Sequence, residues 1–233
     1  DYRREMAYLR EYLATLGMTE FGVVWAPSLP AAVVQSVRTG ATQRLQGSPS
    51  AAATTQLDLP PDPTAWEPRL AGFAQRPPRA VVVVGDSVAY TQVFPLLKRL
   101  SPGTLVVGLS TVNPRTVQEL VPPAQMAGAV LVQVTPHPGR LNLPLARELD
   151  RAMKRFFDEP ASHQTMSGYI AAQLILTAQR RSEGSGRERL RKALADTRSV
   201  DLGGFALRYG DDSPRGSTFV DLLLIRANGQ LMQ

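Results

Sequence analysis

The chain contains no cysteine. That excludes a disulfide framework, a thiolate metal site and a cysteine nucleophile. Aromatic residues make up only 6%, too few for the interleaved stacking platform that single-stranded nucleic acid requires. The only histidines, His137 and His163, sit in proline-rich connections without carboxylates at metal-ligand spacing, so no metal is expected. No apolar run approaches the ~18 residues a membrane span needs, and residues 127–134 are among the longest. No G-x-G-x-x-G follows an apolar run, so neither dinucleotide binding nor any other cofactor is expected. The chain opens Asp1-Tyr2-Arg3-Arg4, with no initiator methionine and no apolar signal segment, and reads as a processed product or a fragment.

What is present describes a globular protein: 233 residues, 43% hydrophobic and 20% charged. The formal net charge is +6, and residues 140–199 carry most of the excess, with 12 Lys/Arg against 7 Asp/Glu. Spread along amphipathic helical patterns, these charges read as solvated faces rather than a nucleic-acid surface.

The stretch that organises the chain is 80–84, AVVVV, running into Gly85-Asp86-Ser87. A short apolar β-branched run between turn signals predicts a strand buried on both faces, as in the middle of a helix-covered parallel sheet. Around it, helix and strand patterns alternate. Helices are predicted at 5–16, 31–45, 66–75 and 90–100, with a helical turn at 116–120. Strands are predicted at 21–25, 54–59, 80–84, 104–109 and 128–134, and 47–53 is a small-residue loop. This alternation predicts an α/β fold with a doubly wound parallel sheet over residues 1–136. A Pro/Gly-rich connection follows, Thr135-Pro136-His137-Pro138-Gly139, with the look of a hinge. Then come helices at 144–157, 164–181 and 187–196, a strand at 204–209, a turn at 210–216 and a strand at 217–226.

Six stretches in order carry a resemblance. They are the valine-rich strand ending at Gly85-Asp86, the strand 106–110 ending in a serine, Val132-Gln133-Val134-Thr135-Pro136-His137-Pro138, then Ser167-Gly168-Tyr169-Ile170-Ala171-Ala172, Asp201-Leu202-Gly203-Gly204-Phe205, and 216–229. In these the chain resembles the second part of a type I periplasmic binding protein of the branched-chain-amino-acid type, the substrate-binding component of ATP-binding-cassette importers. The resemblance implies three parts. Residues 1–136 form the second lobe, 137–200 cross over and supply helices to a first lobe that is missing here, and 201–233 return to complete the second lobe. It also implies a non-enzymatic, periplasmic or otherwise extracytoplasmic protein. Such a protein binds a small ligand between two lobes by hinge closure and delivers it to a membrane permease, without inserting into the membrane.

The ligand groups it implies lie at the carboxyl ends of strands: Trp25, Asp86, Ser87, Tyr90, Ser110 and Thr111, with Thr135, Pro136, His137 and Pro138 as the hinge. Asp86 and Ser87 have a second reading as caps of the following helix, and Trp25 as an ordinary packing residue. Amino-acid-binding members place near Ser110 a carboxylate that pairs with the ligand ammonium. Serine stands there in this chain, so the ligand is expected to be an amide, a carboxylate or an aromatic acid rather than a standard α-amino acid.

Two other readings remain open. One is a ligand-sensing regulatory domain on the same fold. The other follows from Val84-Gly85-Asp86-Ser87, which resembles the nucleophile block of Gly-Asp-Ser esterases, with Ser87 as nucleophile. That family uses a late Asp-x-x-His, whereas here Asp158 precedes His163 by five residues and no histidine follows.

Overall fold

The computed structural model describes residues 2–42, 50–182, 186–209 and 216–232. The chain divides into two units, Asp1–Gln133 with Val220–Gln233, and Val134–Phe219.

The first unit runs α1 (Tyr2–Thr15), β1 (Glu20–Trp25), α2 (Ala31–Thr42), β2 (Ala52–Asp58), α3 (Trp66–Phe73), β3 (Ala80–Val84), α4 (Ser87–Leu100), β4 (Leu105–Gly108), α5 (Pro114–Leu120) and β5 (Val130–Gln133). The second unit then supplies α6 (Pro144–Phe156), α7 (His163–Arg181), α8 (Arg187–Ala195), β6 (Ser199–Asp201) and β7 (Ala206–Arg208). The chain returns to the first unit as β8 (Asp221–Ile225) and β9 (Leu231–Met232). The predicted helix at 31–45 is described as far as Thr42; its end, residues 47–49 of the predicted loop and residues 210–215 of the predicted turn lie outside the described residues.

The sheet order is β2-β1-β3-β4-β5-β8-β9. The first five strands are parallel, and β8 and β9 extend the sheet antiparallel beside β5. Side chains alternate between its faces. Val81 and Val83 join the core under α3, α4 and α5, while Ala80, Val82 and Val84 join the core under α1 and α2. All five β3 residues are fully buried, each valine contributing roughly 1.5–3 kcal/mol. This is a doubly wound sheet, with helices on both faces, as the pattern predicts.

The second unit has its own core. Leu145, Leu149 and Met153 of α6 meet Met166 and Ile170 of α7, together with Val200, Leu202, Phe205 and Leu207. Here the structure departs from the expected division at residue 201. The β6–β7 hairpin pairs only with itself, and its apolar side chains are spent on α6 and α7, so the return to the first unit begins only at Val220. Among the described residues, no helix is long and apolar enough to cross a membrane.

Candidate functional site

In the order β2-β1-β3-β4-β5 the chain leaves β1 toward one sheet face, through α2, and leaves β3 toward the other, through α4. That reversal opens a crevice outside the carboxyl ends of β1 and β3, where ligands bind in such sheets. The loops bordering it are 26–30 and 85–87. They are fastened together: the Asp86 backbone N–H donates to Ser28 Oγ at 3.0 Å, and the Ala26 N–H donates to the Val84 carbonyl at 2.9 Å. Gly85 leaves room for this approach, because a Cβ there would stand 3.1 Å from the Cβ atoms of Ala26 and Ala89.

Asp86, rather than Ser87, caps α4. Its carboxylate accepts the Ala89 N–H at 2.9 Å, where the helix dipole favours negative charge. Ser87 is buried and its Oγ accepts the Asn113 N–H at 2.9 Å, tying α4 to the loop after β4. Thr111 Oγ1 donates to the Gly85 carbonyl at 2.7 Å. The half-buried Asp86, Ser110 and Thr111 and the exposed Ser28 are thus gathered along one edge, braced by backbone bonds.

Two expected ligand residues lie in the core instead. Tyr90 is fully buried, and its hydroxyl donates toward the carbonyls of Val106 and Val130 at 3.3 and 3.4 Å. Its ring lies against Gly108, where any Cβ would come within 2.9 Å of it. Burial holds its phenol far above the usual range. The expectation that Tyr90 reaches the cleft is therefore corrected: it belongs to the stripe Tyr90, Val93, Phe94, Leu97 that packs α4 on the sheet. Trp25 is 4% exposed. The Arg38 guanidinium stands 4.1 Å from its ring centroid and its indole N–H donates to Gln56 at 3.2 Å, which is the packing alternative.

The sequence reading passed over Glu5. This α1 carboxylate is 1% exposed. It accepts the Ser110 N–H at 3.0 Å and the Ser110 hydroxyl at 2.8 Å. Burial pushes its carboxyl up, and the two bonds from Ser110 pull the other way. The signal was the helical spacing of Glu5 with Leu9 and Leu13, both fully buried on the same helix. Gln133, at the end of β5, is also buried, and its Nε2 has no partner among the described residues.

In the second unit, Thr135 and His137 of the expected hinge meet His163 at the start of α7. The rings of His137 and His163 lie edge to face with centroids 5.3 Å apart. Thr135 Oγ1 is 3.5 Å from His163 Nδ1, and His137 Nδ1 accepts the Gly139 N–H at 3.0 Å. Burial, with His137 close by, lowers the His163 imidazole to about 4. Burial and then Arg140 lower His137. Among the described residues, no group of three or more metal-ligating side chains occurs.

No protein-family model matches the chain, and no curated protein matches it by sequence. Solved structures do match. An extracellular ligand-binding receptor from Verminephrobacter eiseniae superposes over 100% of this chain and 66% of its own, with TM-score 0.84 and 22% identity. A substrate-binding periplasmic protein from Ralstonia solanacearum gives TM-score 0.80 and 24% identity, again over 100% of this chain and 66% of its own. A possible leucine/isoleucine/valine-binding protein from Rhodopirellula baltica gives TM-score 0.78 and 23% identity over 100% of this chain and 64% of its own. The chain thus spans about two thirds of the length of the structures it matches, and across that span it has the fold of the type I periplasmic binding proteins.

Proposed function

We propose that the protein is the extracytoplasmic solute-binding component of an ATP-binding-cassette importer. It holds a small amino-acid-like, amide or carboxylate ligand between two lobes, closes by hinge motion and delivers the ligand to a membrane permease. The observation that carries this reading is the edge built around the β1/β3 crevice, where Ser28, Asp86, Ser110 and Thr111 are gathered and braced. The similar structures, a ligand-binding receptor and substrate-binding proteins, support the same reading. Trp25 and Tyr90 support this edge from within, and Ser87 locks α4 to the next loop.

Glu5 refines the ligand class. The Ser110 hydroxyl is spent on Glu5, so the lone pairs left on Ser110 Oγ accept and do not donate. A ligand N–H meets that requirement better than a ligand carboxylate at this point. The amide and amino-acid classes are favoured over a simple carboxylate, and the carboxylate missing from position 110 stands behind it on α1.

An esterase built on Ser87 fits poorly. Its Oγ is buried and occupied by a backbone N–H, and a nucleophile needs a base within hydrogen-bond reach. The test is a thermal-shift screen of the full-length protein against amino acids, their amides, small carboxylates and aromatic acids. A ligand that binds only the folded state at a hundredfold excess over its Kd adds about 2.7 kcal/mol. A compound that raises the midpoint and is recovered unchanged supports solute binding. Ester hydrolysis that disappears in Ser87→Ala, with no compound shifting the midpoint, overturns it.

A further inference from the structure

The second unit carries a surface that its own core does not use. The inner face of α6 is spent on the core through Leu145, Leu149 and Met153. On its outer side an open groove of about 490 Å³ is lined by Leu141, Arg147, Asp150, Arg151, Lys154 and Arg155. Four cations meet one carboxylate there, and Asp150 is already paired with Lys154 at 2.9 Å. Glu148 on the same helix is turned to Tyr169 at 3.2 Å. Arg147, Arg151 and Arg155 recur every four residues, so their guanidinium groups stand in a row about 12 Å long.

Apolar side chains lie at both ends of that row. Leu141 is 46% exposed beside Arg147, which donates to its carbonyl at 2.9 Å. At the other end Phe156 and Phe157 are 66% and 65% exposed, the two most exposed large hydrophobic residues described. Arg155 lies 5.0 Å from the Phe156 ring centroid. A further protein layer would have to bury the guanidinium row together with the phenyl rings, at a high desolvation cost. A bilayer surface asks for no such burial. Cations remain at the level of the headgroup phosphates while phenyl rings enter the acyl boundary.

We propose that the outer face of α6 is a peripheral docking surface for anionic phospholipid, with Arg147, Arg151, Lys154 and Arg155 on the phosphates and Phe156 and Phe157 in the interfacial layer. This is adsorption by side chains, not a spanning segment, and it is independent of the solute-binding reading.

The test is flotation of the full-length protein with vesicles of phosphatidylcholine alone and with 30% phosphatidylglycerol, at low and high salt. The protein is expected to float with the anionic vesicles only, and to be released by salt. Arg151→Glu with Arg155→Glu should weaken this at least about tenfold, since each cation near the surface adds comparable attraction. Phe156→Ser with Phe157→Ser should weaken it several-fold while leaving the salt dependence in place. All four positions are solvent-exposed, and an unchanged thermal midpoint shows that the variants are folded. Equal flotation with both vesicles, no flotation with either, or unaltered flotation of the folded variants overturns the proposal. So does release by polyglutamate at charge concentrations where inositol hexakisphosphate has no effect, which would identify an acidic protein as the partner.

Discussion

The two units bury their apolar residues in different ways. In the first, both faces of one sheet are covered, and the strand at its centre is fully buried along its whole length. In the second, one cluster lies between helices and a two-stranded hairpin, while Phe156, Phe157, Ile175 and Leu176 stay exposed. Burial on two sides makes a rigid frame whose strand ends can hold polar groups in fixed positions. A core closed on one side leaves surface for other contacts. On the proposed reading, the edge of the first unit serves the solute and the exposed face of α6 serves surface interactions.

The contrast is sharpest in truncations. Phe94→Ala in the first unit, at a site 1% exposed, is expected to cost about 3–5 kcal/mol in urea unfolding. A cost no larger than that of an exposed phenylalanine would break the comparison.

Acid acts on the second unit through His163. Its folded imidazole titrates near 4, against about 6.5 when unfolded. Between those values the unfolded chain binds a proton that the folded chain refuses. Stability therefore falls as the pH drops from about 6.5 to 4, by at most roughly 3 kcal/mol, and this contribution is flat below 4. Urea midpoints measured across the pH range should show the fall, and His163→Phe should flatten it. An identical slope in both proteins removes His163 from the account.

Glu5→Ala leaves the Ser110 N–H and hydroxyl without their acceptor and is expected to cost about 1–3 kcal/mol. Glu5→Gln, which keeps one acceptor oxygen, should cost less, and equal costs would mean the bonds are not what is lost. Phe157→Ala, 65% exposed, should stay within about 0.5 kcal/mol, the lower bound of the comparison.

How much of this was legible in the sequence follows the same divide. Strands β1, β3, β4 and β5 announced themselves as short apolar β-branched runs, because a strand buried on both faces must be apolar at every position. Asp86 as a cap belongs to a turn whose residue types are informative locally. Ser87 and Thr111, by contrast, read as a cap or ligand group and as a ligand group, make bonds to Asn113 and Gly85 that span 26 residues. What sequence reading missed depends on contacts between distant residues. Tyr90 was assigned to the cleft from its nearness to a strand end, although its spacing with Val93, Phe94 and Leu97 places it on the packed face. Ser110 looked like a lost carboxylate because Glu5, 105 residues earlier, is not visible from that strand. The allotment of 201–208 to the second unit depends on the pairing of β6 with β7 and on burial against α6 and α7, which no local pattern encodes. His137 and His163 read as separate loop residues, yet they touch.

The most direct test of the central claim uses a compound that raises the melting midpoint of the full-length protein. Its affinity is measured by calorimetry on the unmodified protein, on Ser110→Ala and on Ser28→Ala. Each substitution removes a hydroxyl from the edge at the strand ends, and each is expected to weaken binding about tenfold, as for a lost polar contact, while the fold is retained. Unchanged affinity in both folded variants would mean that the ligand is held elsewhere, and that the edge at the β1/β3 crevice is not the binding wall.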